Sequence, residues 1–293
     1  MFTDPLLAAL AAIHRRGSFD LAAATLGITP SAISQRLKSL EERMGTVLVR
    51  RGQPCTATAP GLRLIRHHDE VALLQSQLTQ DLPHLNAGPA IIRIAVNADS
   101  LATWVIPALA ATNDMLFDLV IDDQDHSQSW LKRGEVSAAI TSHPGPLQGC
   151  DTIPLGALRY HATASPGYIA KWLPHGATKA ALTRAPALTF SDKDRLQGAW
   201  LQSQFGPRLA FPTHRLASSQ AFVDAAVAGL GWGMNPEPLI APHLAHGTLT
   251  ELIANTPLDV PLYWQFSRLT APALAPLTRA VQSVAAKILR QSP

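Results

Sequence analysis

Four polar residues at helical spacing, Ser31, Ser34, Gln35 and Lys38, carry the most specific chemistry in this 293-residue chain. They fall at i, i+3, i+4 and i+7, so a helix sets them in one outward stripe. Short hydroxyls and a carboxamide reach base edges, and a lysine suits a phosphate or a guanine. A helix that merely faces water more often carries Glu/Lys pairs at such positions. A second group is acidic: Asp122-Asp123-Gln124-Asp125, followed by His126. Carboxylates this close repel unless water or a cation offsets them. The run is therefore either a wet loop or a counter-charge for a positively charged ligand. A metal is the weaker third reading, because the calcium-loop pattern is missing. Hydroxyls at Ser100, Thr141, Ser142, Ser191 and Ser218 complete the candidates for ligand contact.

The elements that must position the first group are legible nearby. Residues 4–16 read as a helix, with Asp4 as N-cap, Pro5 in the first turn and Leu7, Leu10 and Ile13 on one face. Gly17 stops it, and Ser18 caps a second helix from Phe19 to Leu26. Gly27-Ile28 is a tight turn, after which Thr29 as N-cap and Pro30 as first-turn proline restart the chain. The third helix buries Ile33, Leu37, Leu40 and Met44 and turns the polar stripe outward. Two helices joined by a short Gly-containing turn, the second with such a face, form a DNA-reading arrangement, in which Thr29 and Pro30 stand at the reading end. Val47-Leu48-Val49 then begins a hairpin with a basic tip at Arg50 and Arg51, a wing able to touch phosphates or a minor groove.

From Thr58 no helix breaker follows Gly61 until Pro83, and Val71, Leu74, Leu78, Leu82 and Leu85 form an apolar seam of coiled-coil spacing. Such a seam faces a second copy. His67 and His68 on this helix read as solvated. After Asn86-Ala87-Gly88-Pro89 the pattern changes to strands alternating with helices. Strands are expected at 91–96, 117–121, 136–141 and 187–190, with helices at 101–111, 127–133, 220–228 and 276–289. This is an α/β body with a mostly parallel sheet, whose ligands bind beyond the carboxyl ends of the strands. Ser100 opens a helix there and, with nearby backbone N–H groups, suits a carboxylate. Ser191 and Ser218 face the cleft or merely cap. Trp232 and Trp264 read as core.

Charge agrees with the division. Residues 1–66 hold nine basic and four acidic residues, whereas the remaining 227 hold 15 and 17. A basic first fifth on a near-neutral body points to a polyanion met at the N-terminus. Only two cysteines, Cys55 and Cys150, stand far apart, which excludes a disulfide framework or a metal-ligand set. No apolar run spans a membrane, and Met1-Phe2-Thr3-Asp4-Pro5 lacks a basic leader, so a cytoplasmic location is expected. Enzyme signatures fail: there is no Gly-x-Ser-x-Gly elbow, no lysine follows a glycine, and Gly229-Leu230-Gly231-Trp232-Gly233 lacks dinucleotide spacing. His243 and His246 form a weak pair. No cofactor is expected.

The run from Ser18-Phe19 through Leu26-Gly27-Ile28-Thr29-Pro30-Ser31-Ala32-Ile33-Ser34-Gln35-Arg36-Leu37-Lys38-Ser39-Leu40-Glu41, then Gly45 to Arg51, resembles the winged helix-turn-helix of LysR-type transcriptional regulators. The resemblance extends over the chain. Val96 to Trp104, Arg133-Gly134-Glu135-Val136, Ser218-Ser219-Gln220-Ala221-Phe222 and Gly229 to Met234 are similar to the ArgP/LysG branch, which answers to basic amino acids and activates a gene for their export. That likeness implies a DNA-binding domain at 1–58, a linker and dimerisation helix at 59–87, and a two-lobed, periplasmic-binding-protein-like effector domain at 88–293. Lobe 1 would hold about 88–159 and 267–293, and lobe 2 about 160–266. Ser100 and Thr141 would hold the amino-acid head, and Asp122, Asp123 or Asp125 the cationic tail of lysine or arginine. Implied partners are double-stranded DNA, a second copy in a homodimer or homotetramer, the effector, and RNA polymerase, with no membrane. A hinge near Gly88 would relay effector binding. Two rivals remain: the same kind of regulator with a different effector, and a solute-binding module without gene control.

Overall fold

Three short helices close the N-terminal head because each carries one apolar stripe. They are α1 (Asp4–Arg16), α2 (Phe19–Leu26) and α3 (Pro30–Met44). The computed structural model describes residues 4–81, 90–112, 115–122, 127–145, 147–206 and 209–291. Leu10, Ile13, Ala22, Ile33, Leu37 and Leu40 are buried together, while Met44 is only partly so. Gly27 closes α2 at φ 63°, a left-handed conformation that a side chain would strain, and its N–H returns to the carbonyls of Ala23 and Ala24. Thr29 Oγ1 then accepts from the Ala32 N–H at 3.2 Å, so the expected cap opens α3. Ser18 holds the corresponding position before α2 without a side-chain hydrogen bond.

The wing is shorter than its β-rich sequence suggests. β1 (Val49–Arg50) pairs antiparallel with β2 (Thr56–Ala57), and Val47 lies outside, 61% exposed. Leu48 is drawn into the head core, and the Glu41 carboxylate accepts from the Leu48 N–H at 2.8 Å, which removes that segment from strand pairing. Thr58 Oγ1 accepts from the Gly61 N–H at 3.3 Å and opens α4 (Ala59–Asp81). Leu73 of α4 is buried against the body, whereas Leu74 and Leu78 are 40% and 52% exposed. Leu82, Leu85 and the expected hinge at Gly88 lie outside the described residues. His68 is not solvated as expected: its Nδ1 stands 3.0 Å from the Asp4 carboxylate, because α1 packs beside α4. Asp4 is thus engaged across the two helices.

The body begins with β3 (Ala90–Val96), α5 (Ala98–Ser100), a π-helical turn (Leu101–Val105) and α6 (Ile106–Ala110). β4 (Met115–Ile121), α7 (Ser127–Arg133) and β5 (Ala138–Thr141) follow. β6 (Cys150–Ala164) then leads into a second lobe made of α8 (Pro166–Trp172), α9 (Lys179–Leu182), β7 (Ala187–Thr189), α10 (Leu196–Phe205), β8 (Thr213–Arg215), α11 (Ser219–Val227), β9 (Gly233–Pro236), α12 (Glu237–Ala245) and β10 (Thr250–Glu251). β11 (Leu258–Ser267) returns, and α13 (Ala271–Ile288) closes the first lobe.

The main sheet has the order β10-β6-β11-β5-β3-β4, with β9 also on β6. Only β4-β3-β5 within it are parallel, so the mostly parallel expectation is corrected to a mixed sheet. The cause is the pair of long strands: β6 leaves lobe 1 and β11 re-enters it, and two chain passages in opposite directions must pair antiparallel. β7 and β8 form a separate parallel pair in lobe 2. Gly156, at φ 113° in β6, allows the Arg290 carbonyl to come within 2.8 Å of where a Cβ would stand, so α13 docks its end on the crossing strand. α13 starts at Ala271 rather than Pro276, since two prolines lie in it and Pro272 occupies the first turn. Trp232 and Trp264 are buried as expected, and Trp264 Nε1 donates to Thr278 Oγ1 at 3.1 Å, tying β11 to α13.

Head and body meet at Glu135, just after α7. His14 of α1 accepts from the Ala57 N–H at Nδ1, 3.2 Å, and its Nε2 lies 3.5 Å from Glu135 Oε2. Arg133 donates to the other oxygen. Burial pushes the Glu135 carboxyl up, but the hydrogen bonds from His14 and Arg133 outweigh it and hold it below the ordinary range. A depressed carboxylate stabilises the fold above its unfolded value, 4.5, and loses that contribution as pH falls through the folded value. Melting temperature should therefore fall more steeply below about pH 5 in the parent than in Glu135→Gln. Equal slopes in a melting series against pH would refute this role for Glu135.

Candidate functional site

α3 presents its polar stripe as its spacing requires. Ser31, Ser34, Gln35 and Lys38 are all exposed, on the side opposite Ile33, Leu37 and Leu40. Their availability differs. Ser34 Oγ donates to the Pro30 carbonyl at 3.0 Å, and Ser31 Oγ shares a 3.0 Å hydrogen bond with Thr29 Oγ1. Lys38 Nζ lies 3.8 Å from Glu42, a pair in which both side chains are mostly exposed and which a phosphate would outcompete. Gln35 has no hydrogen-bond partner among the described residues, so both ends of its amide are open to a base. Arg50 and Arg51 are exposed on the wing, and the Arg51 guanidinium sits 5.4 Å from the centre of the Phe19 ring, which steadies it beside α2. Cys55 behind them is buried, a small packing residue.

Between the lobes lies a narrow cleft lined by residues of both. Asn97, Ala98 and Asp99, just beyond β3, form part of one wall, and Asp122, just beyond β4, adds to it. Lobe 2 contributes Phe190 and Asp194 after β7, Ser219 and Phe222 from α11, and Met234 from β9. The position beyond strand ends is the one an α/β body dictates. Asp99 joins the lobes: Tyr160 on β6 donates to Oδ2 at 2.9 Å and Ser219 to Oδ1 at 2.6 Å. Asp122 does so too, since Trp130 Nε1 donates to Oδ2 at 2.8 Å and Lys193 Nζ to Oδ1 at 3.0 Å. Asp194 accepts from the backbone N–H groups of Phe190 and Leu196, which folds its loop.

Of the effector residues expected from sequence, Asp122 lies on this wall. Asp123 and Asp125 lie outside the described residues. Ser100 does not open the helix, because α5 begins at Ala98 with Asn97 as N-cap; its hydroxyl is fully buried behind the wall and has no hydrogen-bond partner among the described residues. Thr141 is buried and accepts from the His143 N–H at 3.2 Å, with Ser142 half-buried beside it, and neither lines the cleft. Ser191 lines the adjoining recess and accepts from the Lys193 N–H at 3.1 Å. Ser218 caps α11 through the Ala221 N–H, and the next residue, Ser219, faces the cleft instead. Asp99 and Ser219 each neighbour a residue singled out from sequence, so the strand-end rule located the loops but not the side of each loop. Asp194 belongs to the loop Ser191-Asp192-Lys193-Asp194, which the sequence places after a strand and facing the cleft, though only Ser191 of that loop stands out as a contact residue. Among the described residues, no group of three or more His, Cys, Asp or Glu side chains could hold a metal ion, and no helix is long and apolar enough to cross a membrane.

Two family models match the chain: a bacterial regulatory helix-turn-helix protein of the lysR family over residues 5–62, and a LysR substrate binding domain over residues 89–286. The chain is 42% identical over 287 residues to the HTH-type transcriptional regulator LysG of Mycobacterium tuberculosis, covering 98% of this chain and 94% of that protein. It is 41% identical over 283 residues to the HTH-type transcriptional regulator ArgP of Pseudomonas aeruginosa, covering 95% and 94%. Among solved structures, ArgP from Mycobacterium tuberculosis matches at a TM-score of 0.82 and 42% identity over 100% of both chains. Full-length LysG from Corynebacterium glutamicum with bound effector Arg matches at 0.71 and 36% identity, over 99% of this chain and 100% of that one.

Proposed function

This chain belongs to the LysR family of transcriptional regulators, of the LysG/ArgP type, and from that premise we propose that it switches a gene for amino-acid export in response to arginine or lysine held between its lobes. The observation that carries the effector reading is the charge of the cleft. Its described wall bears three carboxylates, Asp99, Asp122 and Asp194, against the ammonium of Lys193 that pairs with Asp122, so it complements a cationic amino acid and opposes an anionic metabolite. The arginine held by the Corynebacterium glutamicum relative supports the same class of ligand. In this reading the cationic end faces Asp122, with Asp123 and Asp125 as its sequence neighbours, and the ligand carboxylate meets the start of α11 beside Ser219.

The division of labour follows: residues 1–58 read DNA, 59–87 join two copies, and 88–293 sense. A homodimer, or a tetramer built from dimers, presents two reading heads to a pseudo-palindromic site in the cytoplasm. Effector binding shifts how those heads sit, and RNA polymerase is the partner that reads the change.

Asp122→Asn tests the effector half. A hydrogen bond to a charged group contributes about 1.5–3 kcal/mol, so affinity for arginine and lysine should fall by roughly 10- to 100-fold, with ligand-free DNA binding unchanged. The parent, at a ligand concentration about a hundred times its Kd, should gain roughly 2.7 kcal/mol and melt visibly later. An Asp122→Asn protein with the parent's response to both amino acids would overturn the counter-charge role.

A further inference from the structure

We infer that Lys193 is a built-in competitor for the cationic end of the effector, occupying the oxygen of Asp122 that the ligand must take. The inference rests on the reading of the cleft as a site for a cationic amino acid. Asp122 stands at the end of β4 in the first lobe with its side chain only 19% exposed, and Lys193 reaches it from the loop after β7 in the second. Trp130 and Lys193, two donors to Asp122, differ in kind. The Trp130 indole is neutral, so it aims the carboxylate without cancelling its charge. The Lys193 ammonium does cancel it, from a side chain that is 51% exposed.

The loop is built to deliver that ammonium. Asp194 accepts from the Phe190 and Leu196 N–H groups at 2.9 and 3.0 Å, and Ser191 Oγ accepts from the Lys193 N–H, so the backbone is pinned while the half-exposed lysine side chain is held at its tip by Asp122. Of the two acids that flank Lys193, Asp192 is engaged by Arg215 at 2.8 Å and Asp194 by backbone N–H groups, which leaves Lys193 to Asp122. A ligand ammonium or guanidinium aimed at Asp122 Oδ1 therefore exchanges one ion pair for another. Its apparent affinity is lowered by the fraction of time Lys193 is seated. An exposed lysine pair is weak, so that fraction costs a modest factor and never closes the site. The consequence is a raised sensing threshold: the ligand must be abundant before it displaces the internal cation.

The test measures the Kd of L-arginine and of L-lysine by calorimetry on the full chain as parent, Lys193→Met, Asp122→Asn and the double variant. Lys193→Met should bind both amino acids about three- to tenfold more tightly than the parent. In the Asp122→Asn background the same change should alter affinity less than about twofold, because the competed oxygen has lost its charge. Lys193→Arg, which keeps the cation, should stay near the parent. A Lys193→Met protein that binds equally or more weakly overturns the competitor role alone. A gain that persists without the Asp122 charge overturns it as well, by reducing it to a general field effect. If neither parent nor Lys193→Met binds either amino acid, the cationic site itself is refuted and the competitor falls with it.

Discussion

Replacing Gln35 with alanine is expected to lower affinity for the specific operator by roughly 10- to 100-fold, on the order of 1–3 kcal/mol, while leaving binding to unrelated duplex nearly intact. The amide stands on the exposed face of α3 with no partner among the described residues, so it holds a donor and an acceptor ready for a base edge. Its neighbours are less free, since Ser34 already donates to the Pro30 carbonyl and Ser31 is shared with Thr29. Lys38, Arg50 and Arg51 carry charges that any phosphate satisfies, so they are expected to supply affinity that falls with salt but little preference. Anisotropy titrations against the operator and a scrambled duplex separate the two. Equal loss on both duplexes would show that α3 is not the reading helix.

A larger loss should follow from charging the open seam of α4. The double variant Leu74→Glu/Leu78→Glu is expected to dissociate the proposed dimer and to weaken operator binding by at least about 100-fold at nanomolar protein, because two half-sites are then no longer held by one particle. Leu74 and Leu78 lie one turn apart, 40% and 52% exposed, while Leu73 beside them is buried against the body. The helix thus packs one face on its own chain and leaves the other uncovered. Covering a leucine contributes about 1.5–3 kcal/mol, and a symmetric interface covers each twice. Neither side chain is buried within the chain, so helix content should stay at the parent value. Light scattering and circular dichroism check both statements. A variant that remains dimeric would place the dimer contact elsewhere.

The sequence alone determined the head. Helix caps at Thr29 and Pro30, a left-handed Gly27 and an apolar stripe at Ile33, Leu37 and Leu40 are local signals, and the stripe's position settles which residues face outward. Of the seam expected on α4 from a period of three and four residues, Leu74 and Leu78 are exposed, while Leu82 and Leu85 lie outside the described residues. Strand ends in the body are legible as loops, and Asp122 stands in one of them. Tertiary structure decided the rest. Ser219 rather than Ser218 faces the cleft because the cap position is committed to the Ala221 N–H. Asp99 rather than Ser100 lines the wall because the helix begins three residues earlier than expected, which turns Ser100 inward. The union of Asp122 with Lys193, 71 residues apart, depends on how β6 and β11 set one lobe against the other. Local spacing specifies which face of an element is polar. Which distant charge that face will meet is set by long-range packing, and no period in the sequence records it.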